Sequence, residues 1–432
     1  MTVLFLGLFY DISGYIIAEL EKHYHILVYA LIIINIILII LIVSKLYYNK
    51  NLQDLLTDNN AVVLKKDLQM IERKLEHADV KEQFTNFYQC PDYKLLKNLE
   101  TVFEDNKIIR APSSSTSDLI LPCGYNNVEE ELDKLDDIKD NQKIYAIKGC
   151  DKLASKNELW GIFRNAYGFK GACEYMPNTY ATNKPEEVAL FKDNYKPGAL
   201  YFLKKNIQRK EGILLTRDYN QILEEAHIGE YKVIQEAVDD LYLIKKRKVN
   251  LRVYLLIMCK GGDVKGYLYH EGKCIYSNLE VSEDASNGSN GSNEIMREEH
   301  LTSLNLDVAI YKSAPESLKD LKKHLGEYKF NVLWMRIRKI FGALMKAVVG
   351  ERLVCNKKSL EGATSFQLFG ADVIFTNKMK PYLLELNKGP SMKYMTENDE
   401  KMKLELTTDV MKQAGVLEVN DEKELANKWQ IV

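Results

Sequence analysis

The sequence lacks the charge imbalance that marks several classes of protein. Its 59 lysine and arginine residues nearly cancel 61 aspartate and glutamate residues, which leaves a formal net charge of -2. Nucleic-acid binders usually carry a basic excess, so we expect no nucleic-acid partner. Hydrophobic residues make up 46% of the 432 positions and charged residues 28%, which is typical of a globular chain of about two or three domains.

The sequence also lacks the cysteine spacing of a metal site. Its seven cysteines are odd in number, scattered and never arranged as CxxC. We therefore predict neither a zinc site nor a disulfide framework, and a reducing compartment is favoured. There is no convincing Ser-His-Asp or Cys-His arrangement for nucleophilic catalysis.

Against these absences stands one long apolar run, residues 26–43, which only Asn35 interrupts. As a helix it would be about 27 Å long, close to the thickness of a bilayer core. We predict a single transmembrane helix, with a buried core helix as the alternative. Several lysines follow the run within residues 45–66, whereas Lys22 is the one nearby lysine before it, so the remainder of the chain is expected in the cytosol.

In the rest of the chain, the sequence pattern changes from helical to β-rich near residue 143. Residues 51–142 are highly charged with a mostly helical pattern, which predicts a helical stalk or a small subdomain. From there on, short β-rich runs alternate with turns, and strands are predicted at 201–203, 231–234, 250–258, 264–269, 366–375 and 382–386. Strands mixed with helices in this way indicate the α+β class. We place domain boundaries at 1–50, 51–142, 143–412 and 413–432.

One predicted helix, over 330–349, carries Arg336, Arg338, Lys339 and Lys346. Such a basic face is typical of a solvated helix surface. A surface that binds a partner is the alternative.

The clearest chemical signal lies near the C-terminus. Asp372 is placed within an apolar predicted strand, where a carboxylate is costly without a cation. Glu385 and Asn387 are two residues apart on the next strand, so their side chains share a face. Two carboxylates and an amide oxygen suit Mg²⁺, and the alternative is the polar face of an edge strand.

A second signal is the alternation Lys248, Asn250, Arg252. In a strand these side chains project from one face, opposite apolar neighbours. Two cations and an amide on one face suit a polyphosphate, whereas a solvated basic hairpin is the alternative.

Weaker signals come from Lys204 and Lys210, which bracket a loop ending at Gly212 and could clamp phosphates. His300 begins the run HLTS, and a lone histidine is more often structural than catalytic.

Together and in this order, these segments resemble the tubulin tyrosine ligase-like family of ATP-grasp ligases over residues 145–412. The motifs that carry the resemblance are Lys204…Lys210-Glu-Gly212, Val233-Ile-Gln235, Lys248-Val-Asn250-Leu-Arg252, His300-Leu-Thr-Ser303 and Phe369-Gly-Ala-Asp372…Leu384-Glu385-Leu-Asn387. The resemblance implies an ATP-grasp fold. It also implies an ATP- and Mg²⁺-dependent ligase that joins an amino acid (tyrosine, glutamate or glycine) to a protein or peptide carboxylate, with tubulin as the default acceptor.

The resemblance also implies residue roles. Lys204, Lys210 and Gly212 would hold phosphates, and Gln235, Glu236 and Val238 would meet the adenine edge. Lys248 would contact the nucleotide, and Arg252 would contact the γ-phosphate and then the acyl phosphate, with Asn250 between them. Asp372, Glu385 and Asn387 would bind Mg²⁺.

Some positions depart from the family pattern. Asn250 replaces the acid of KxDxR, Ser303 replaces the Asn of HLTN, and Cys274-Ile-Tyr276 stands where the family usually has an arginine near the acceptor site. Two alternatives therefore stay open: an ATP-grasp ligase with another acceptor, and a membrane-tethered pseudoenzyme that binds nucleotide without turnover.

Overall fold

The structure is a computed structural model of the chain. It describes residues 86–124, 128–135, 138–207, 212–282, 293–302, 306–355, 360 and 362–432. Gln83–Val432 forms one compact unit. The predicted transmembrane helix at 26–43 lies outside the described residues, and among those described no helix has both the length and the apolar character needed to cross a membrane.

Strands dominate the centre of this unit. They are β1 (Asn86–Tyr88), β2 (Ile109–Arg110), β3 (Leu119–Ile120), β4 (Lys143–Ile144), β5 (Thr179–Ala181), β6 (Tyr201–Lys204), β7 (Ile213–Thr216), β8 (Val233–Glu236), β9 (Leu243–Ile244), β10 (Arg247–Lys260), β11 (Asp263–Tyr276), β12 (Thr364–Phe375), β13 (Pro381–Asn387) and β14 (Trp429–Ile431).

Helices surround the strands. They are α1 (Lys97–Asp105), α2 (Val128–Asp133), α3 (Cys150–Ala154), α4 (Lys156–Ala172), α5 (Pro185–Asn194), α6 (Tyr219–Ile228), α7 (Asn293–His300), α8 (Leu318–Leu325), α9 (Glu327–Gly350), α10 (Glu397–Gln413) and α11 (Glu422–Lys428). Short 3-10 turns occur at Ser114–Thr116 and Val308–Lys312. The mixture confirms the predicted α+β class and is consistent with an ATP-grasp fold.

The strands form two sheets. The larger has the order β14-β11-β10-β12-β4-β3-β1-β2, with β13 paired to β12 and β9 to β10. The smaller has the order β5-β8-β6-β7 and is antiparallel. At the centre of the larger sheet, β10 and β11 are joined by a two-residue turn in which Gly261 and Gly262 both have positive φ, as a tight hairpin turn requires.

Alternation along β10 determines what each face of the large sheet contacts. Leu251, Val253 and Leu255 are fully buried in one cluster together with residues of α4 and α9. On the other face, Tyr254 and Leu256 pack in a second cluster with residues of α1 and α10. The earlier residues of that second face are polar and line a pocket instead. On this second face, the first half of β10 therefore lines the pocket, and the second half packs in the hydrophobic core.

Two predicted segments differ from the structure. The stretch 51–142 was expected to be a helical stalk or subdomain, but its described part contributes β1, β2 and β3 to the large sheet. The predicted tail 413–432 contains α11 and β14, and β14 pairs with β11 at the sheet edge. Strands of two or three residues leave too little alternation in the sequence to reveal them, because their pairing is long-range.

The cysteines also differ from the prediction. Cys90 is disulfide-bonded to Cys123 with 5.2 Å between the Cα atoms, and Cys259 to Cys355 with 5.9 Å. Partners 33 and 96 residues apart cannot be matched from spacing, since the fold alone brings them together.

Candidate active site

A row of charged residues crosses three neighbouring strands of the large sheet. Arg252 on β10 is the register partner of Asp372 on β12, and Asp372 is the partner of Glu385 on β13. One strand further out, Lys273 on β11 is the partner of Arg252. Directly paired residues have side chains on the same face about 5 Å apart, so the row concentrates charge at one place.

A β-bulge next to this row adjusts which side chains face outward. The register between β12 and β13 shifts by one residue after Asp372: Asp372 pairs with Glu385, and the next residue, Val373, pairs with Leu383. Leu384 is the extra residue, and both Leu384 and Glu385 line the pocket. Bulges often redirect side chains beside functional sites in this way.

Arg252 is the cation that Asp372 needs. Arg252 Nε donates to Asp372 Oδ1 at 2.6 Å, and Arg252 Nη2 donates to Asp372 Oδ2 at 3.3 Å. The two contacts make a two-point ion pair. The guanidinium lies close over Gly370, where an added Cβ would approach Arg252 Cδ to 3.0 Å. Burial disfavours the charged guanidinium, but Asp372 outweighs this effect and raises the pKa of Arg252.

Glu385 lies among cations. Its Oε2 is 3.6 Å from Lys156 Nζ, and its side chain is 30% exposed. Burial opposes its charge, but Lys156, Lys204 and Arg252 together lower its pKa to about 2. The Glu385 carboxylate is therefore ionised throughout the physiological pH range.

The pKa of Asp372 is shifted in the opposite direction, upward. Burial raises its pKa, Arg252 lowers it, and the adjacent Glu385 carboxylate raises it again. Like charges this close repel one another unless a cation lies between them. Asn387 extends the group, since its amide N–H donates to Glu385 Oε1 at 3.4 Å. Mg²⁺ prefers hard oxygen ligands of this kind. Here both Asp372 oxygens are held by Arg252 and the Asn387 amide nitrogen faces Glu385, so the assignment of these three residues to Mg²⁺ stays a prediction.

The small sheet contributes a cation from the opposite side. Lys204, at the end of β6, is 7% exposed, and its Nζ donates to Gln235 Oε1 at 2.6 Å. Gln235 on β8 is held in turn by Thr179 Oγ1, to which its amide donates at 2.9 Å. Burial lowers the pKa of Lys204 to about 8. The ammonium is thus weakly hydrated and available to an anionic ligand.

These side chains enclose one pocket of about 390 Å³ between the two sheets. Predicted residues that line it are Lys204, Lys248, Asn250, Arg252, Asp372, Glu385 and Asn387. Gln235 is buried behind Lys204, and Gly212 is buried in the turn immediately before β7. The structure therefore brings together residues that are up to 183 positions apart, from Lys204 to Asn387.

The remaining predicted residues lie elsewhere. Glu236 and Val238 line a neighbouring cavity of about 190 Å³. Lys210 and Ser303 lie outside the described residues. The ligand contacts assigned to all these residues stay predictions.

Sequence reasoning missed Lys156 and discounted His300. Lys156 begins α4, is 8% exposed and lines the pocket, but it belongs to no motif. His300 ends α7 and also lines the pocket. Burial, Lys248 and Arg217 lower the pKa of His300 to about 4, so it is neutral at pH 7. Its position at the start of HLTS was the available signal, and only the tertiary structure places it beside Lys248.

Comparison with known proteins identifies a family that matches most of the chain. The family described as "Tubulin-tyrosine ligase family" matches residues 135–424. Similar proteins include a probable alpha-tubulin polyglutamylase, Ttll1, of Tetrahymena thermophila, which is 25% identical over 260 residues covering 55% of this chain and 59% of that protein. The tubulin polyglutamylase TTLL5 of Mus musculus is 24% identical over 300 residues, 64% of this chain and 21% of that protein.

A further relative is the tubulin polyglutamylase ttll-4 of Caenorhabditis briggsae, 25% identical over 296 residues, 65% of this chain and 47% of that protein. The chain thus spans less than two thirds of the length of these relatives.

Proposed function

The chain belongs to the tubulin-tyrosine ligase family, and from that premise we propose that it is an ATP- and Mg²⁺-dependent ligase that adds glutamate to a protein carboxylate. Glutamate is preferred to tyrosine and glycine because the similar proteins described above are named polyglutamylases. Tubulin is proposed as the first acceptor to test, on the same ground.

The observation that carries this proposal is the charge of the pocket. Four cationic residues, Lys156, Lys204, Lys248 and Arg252, face the two carboxylates Asp372 and Glu385. The surplus of two positive charges matches the two negative charges of Mg-ATP. Cations from both sheets can then contact the phosphates from opposite sides, which is how proteins stabilise phosphoryl transfer.

In the proposed reaction, an acceptor carboxylate oxygen bonds to the γ-phosphorus of ATP while the bond to ADP breaks. The neutral amine of glutamate then attacks the acyl carbon and the C–O bond to phosphate breaks. The amine loses one proton, which the released phosphate can take up, and an amide remains. Bound Mg²⁺ would supply charge neutralisation between phosphate oxygens. Arg252 and Lys204 would hold the transferred group, and no side chain needs to act as a covalent nucleophile.

Asn250 is compatible with this chemistry. Its Oδ1 is buried without a hydrogen-bond partner and its residue lines the pocket. A neutral amide in place of the family's acid removes one negative charge from a site that would bind a polyanion.

We propose that Asn250 accepts a hydrogen bond from the nucleotide. This role predicts that Asn250→Ala weakens nucleotide binding, which calorimetry measures. Unchanged binding would contradict it.

The test of the proposed function is incorporation of labelled amino acid. Purified full-length protein in non-ionic detergent would be given Mg-ATP and tubulin, with glutamate, tyrosine and glycine supplied separately. Incorporation of glutamate with stoichiometric ADP release supports the proposal. ADP release without incorporation would indicate another acceptor, and nucleotide binding with neither would indicate a pseudoenzyme.

Membrane attachment through residues 26–43, with the catalytic unit in the cytosol, is a separate proposal. It depends on the apolar run and the lysines after it. Recovery of the full chain from the membrane fraction after alkaline extraction would support attachment, and release into the supernatant would contradict it.

The buried ammonium of Lys204 predicts a pH dependence of nucleotide binding. Its pKa of about 8 in the ligand-free protein means that the phosphate-binding form is populated below pH 8 and lost above it. Phosphate favours the ammonium, so affinity is retained at low pH and falls as pH rises through the free pKa. We expect the dissociation constant of Mg-ATP to rise about tenfold between pH 7 and pH 9.

Lys204→Arg is the matched control for this measurement. A guanidinium stays charged over the whole range, so its profile should be flat. Titration calorimetry measures the dissociation constant of Mg-ATP against pH for both proteins. Identical pH profiles would show that Lys204 does not cause the pH dependence.

A further inference from the structure

Helix α9 presents a long outer face at the surface of the unit. Its inner side packs in the core cluster that covers one face of the large sheet. On its outer side Tyr328 is 81% exposed and Met335 is 62% exposed, and Lys339 and Lys346 are exposed as well. At 3.6 residues per turn these four side chains lie within about 40° of one another around the helix axis, along a line about 27 Å long. We call these four residues the outer stripe.

The charge of α9 is strongly biased. Its 24 residues include five cations and a single acid, Glu327, at the first position. Glu327 is paired with Lys322 of α8 at 2.9 Å. Lys329 and Arg338 are exposed on either side of the outer stripe, and Glu351 follows the last turn. The outer face therefore combines two exposed apolar side chains with an excess of positive charge.

The helix that carries the outer stripe is held in place at its middle. Arg336 donates to the carbonyl oxygens of Lys378 and Met379, in the hairpin turn between β12 and β13, at 2.7 and 3.0 Å. The indole N–H of Trp334 donates to Gln430 Oε1 on β14 at 2.9 Å. The outer stripe is thus a preformed surface, and ordering the helix adds no entropy cost to binding.

The outer stripe and the pocket lie on opposite sides of the large sheet. Helix α9 packs against the face of β10 that carries Leu251 and Val253. Asn250 and Arg252, on the other face of the same strand, line the pocket. A flat surface lying against α9 therefore does not cover the pocket.

The composition of the outer stripe fits a bilayer surface better than a protein partner. Lysine is depleted in protein interfaces. In contrast, lysines beside exposed aromatic and large apolar side chains are typical of helices that lie in a membrane interface. Positive charge also attracts anionic lipid headgroups. The apolar run at 26–43, proposed above to enter a membrane, would keep the unit near lipid and strengthen a weak surface site.

We propose that the outer stripe lies against the surface of an anionic bilayer, as an interaction surface separate from the ligase chemistry. Tyr328 and Met335 enter the headgroup region, and the long side chains of Lys339 and Lys346 extend to lipid phosphates. The pocket then faces the aqueous phase, where nucleotide and acceptor can reach it.

Fluorescence quenching in the full-length protein tests this contact. Met335→Trp is reconstituted in phosphatidylcholine vesicles with brominated acyl chains, with and without phosphatidylserine. Bromine quenches tryptophans that come close to the acyl chains, and wild type gives the background from Trp160, Trp334 and Trp429. We expect the fluorescence added by Met335→Trp to fall about twofold or more in the vesicles that contain phosphatidylserine.

Met395→Trp is the matched control for position. Met395 is 44% exposed and lies just before α10, which packs against the other face of the sheet. The fluorescence that this variant adds should not be quenched by either kind of vesicle, because its side of the unit faces away from the bilayer.

The role of charge is tested in the Met335→Trp background. Adding Lys339→Glu/Lys346→Glu should restore most of the quenched fluorescence, since the reversed charges repel anionic lipid. Lys401→Glu/Lys423→Glu makes the same charge change on exposed positions of α10 and α11, and it should leave the quenching unchanged because distant exposed charges are screened.

Equal quenching at positions 335 and 395, or quenching that Lys339→Glu/Lys346→Glu does not reduce, would overturn the proposal. Absence of quenching, together with a shift in Met335→Trp emission when tubulin is added, would also overturn it and assign the outer stripe to a protein partner. The measurement contains no nucleotide, so its outcome does not depend on ligase activity. Should alkaline extraction release the chain from membranes, the same vesicles are added to the unattached protein, and the same comparison decides.

Discussion

Replacing Glu385 with Gln should reduce the rate of amide formation by about 10³-fold, the upper end of what loss of one preorganised electrostatic group costs. The carboxylate is paired in register with Asp372 and is ionised by the surrounding cations. A neutral amide of the same shape removes the charge that would hold Mg²⁺ and removes the carboxylate that faces Lys156. Turnover measured across a Mg²⁺ titration is the readout.

The matched control for this prediction is Glu424→Gln, which removes a carboxylate that is 64% exposed on α11. It should leave turnover within about twofold, because exposed ion pairs contribute little. Activity of Glu385→Gln within threefold of wild type at every Mg²⁺ concentration would remove Glu385 from the metal set.

Replacing Arg252 with Met should destabilise the fold and abolish activity together. The guanidinium makes a two-point ion pair with Asp372, and the two side chains are 16% and 13% exposed. Removing it leaves the Asp372 carboxylate buried beside Glu385, and breaking a buried pair in this way costs about 3–5 kcal/mol. Urea denaturation measures the change in the free energy of unfolding.

The double variant Arg252→Met/Asp372→Asn separates stability from chemistry. It removes both charges, so most of the lost stability should return, whereas activity should not. Arg252→Lys should give an intermediate result, since an ammonium cannot make the two-point contact. A double variant as unstable as the single one would show that the uncompensated carboxylate is not the cause.

Strands β10 and β12 carry the part of the site that the sequence predicts best. Their two-residue alternation predicted that Lys248, Asn250 and Arg252 share a face, and all three line the pocket. The apolar surroundings of Asp372 indicated that its carboxylate needs a cation, and the sequence assigned Mg²⁺ to that role, which stays a prediction. The ion pair between Asp372 and Arg252 is a contact that the structure adds. Alternation is readable from one strand alone because it is a local property of extended backbone.

Other contributions to the site were not readable in this way. Lys156 enters the pocket from the start of a helix, and nothing in its neighbouring residues distinguishes it from a solvated lysine. The bulge that turns both Leu384 and Glu385 outward depends on pairing with β12, so it has no signature within β13 itself. The same limit applies to the short strands β1 to β4 and to both disulfides.

The sequence by itself determined the α+β class, the strands that carry the charged residues, and the family resemblance, because local periodicity and motif order are properties of the chain alone. Tertiary structure decided which charges meet. It set Arg252 against Asp372 across 120 residues, brought Lys156 to Glu385, and arranged Arg336 and Lys339 opposite the hairpin turn. These contacts depend on strand register and helix packing, and their strength depends on burial, so they exist only once the chain has folded.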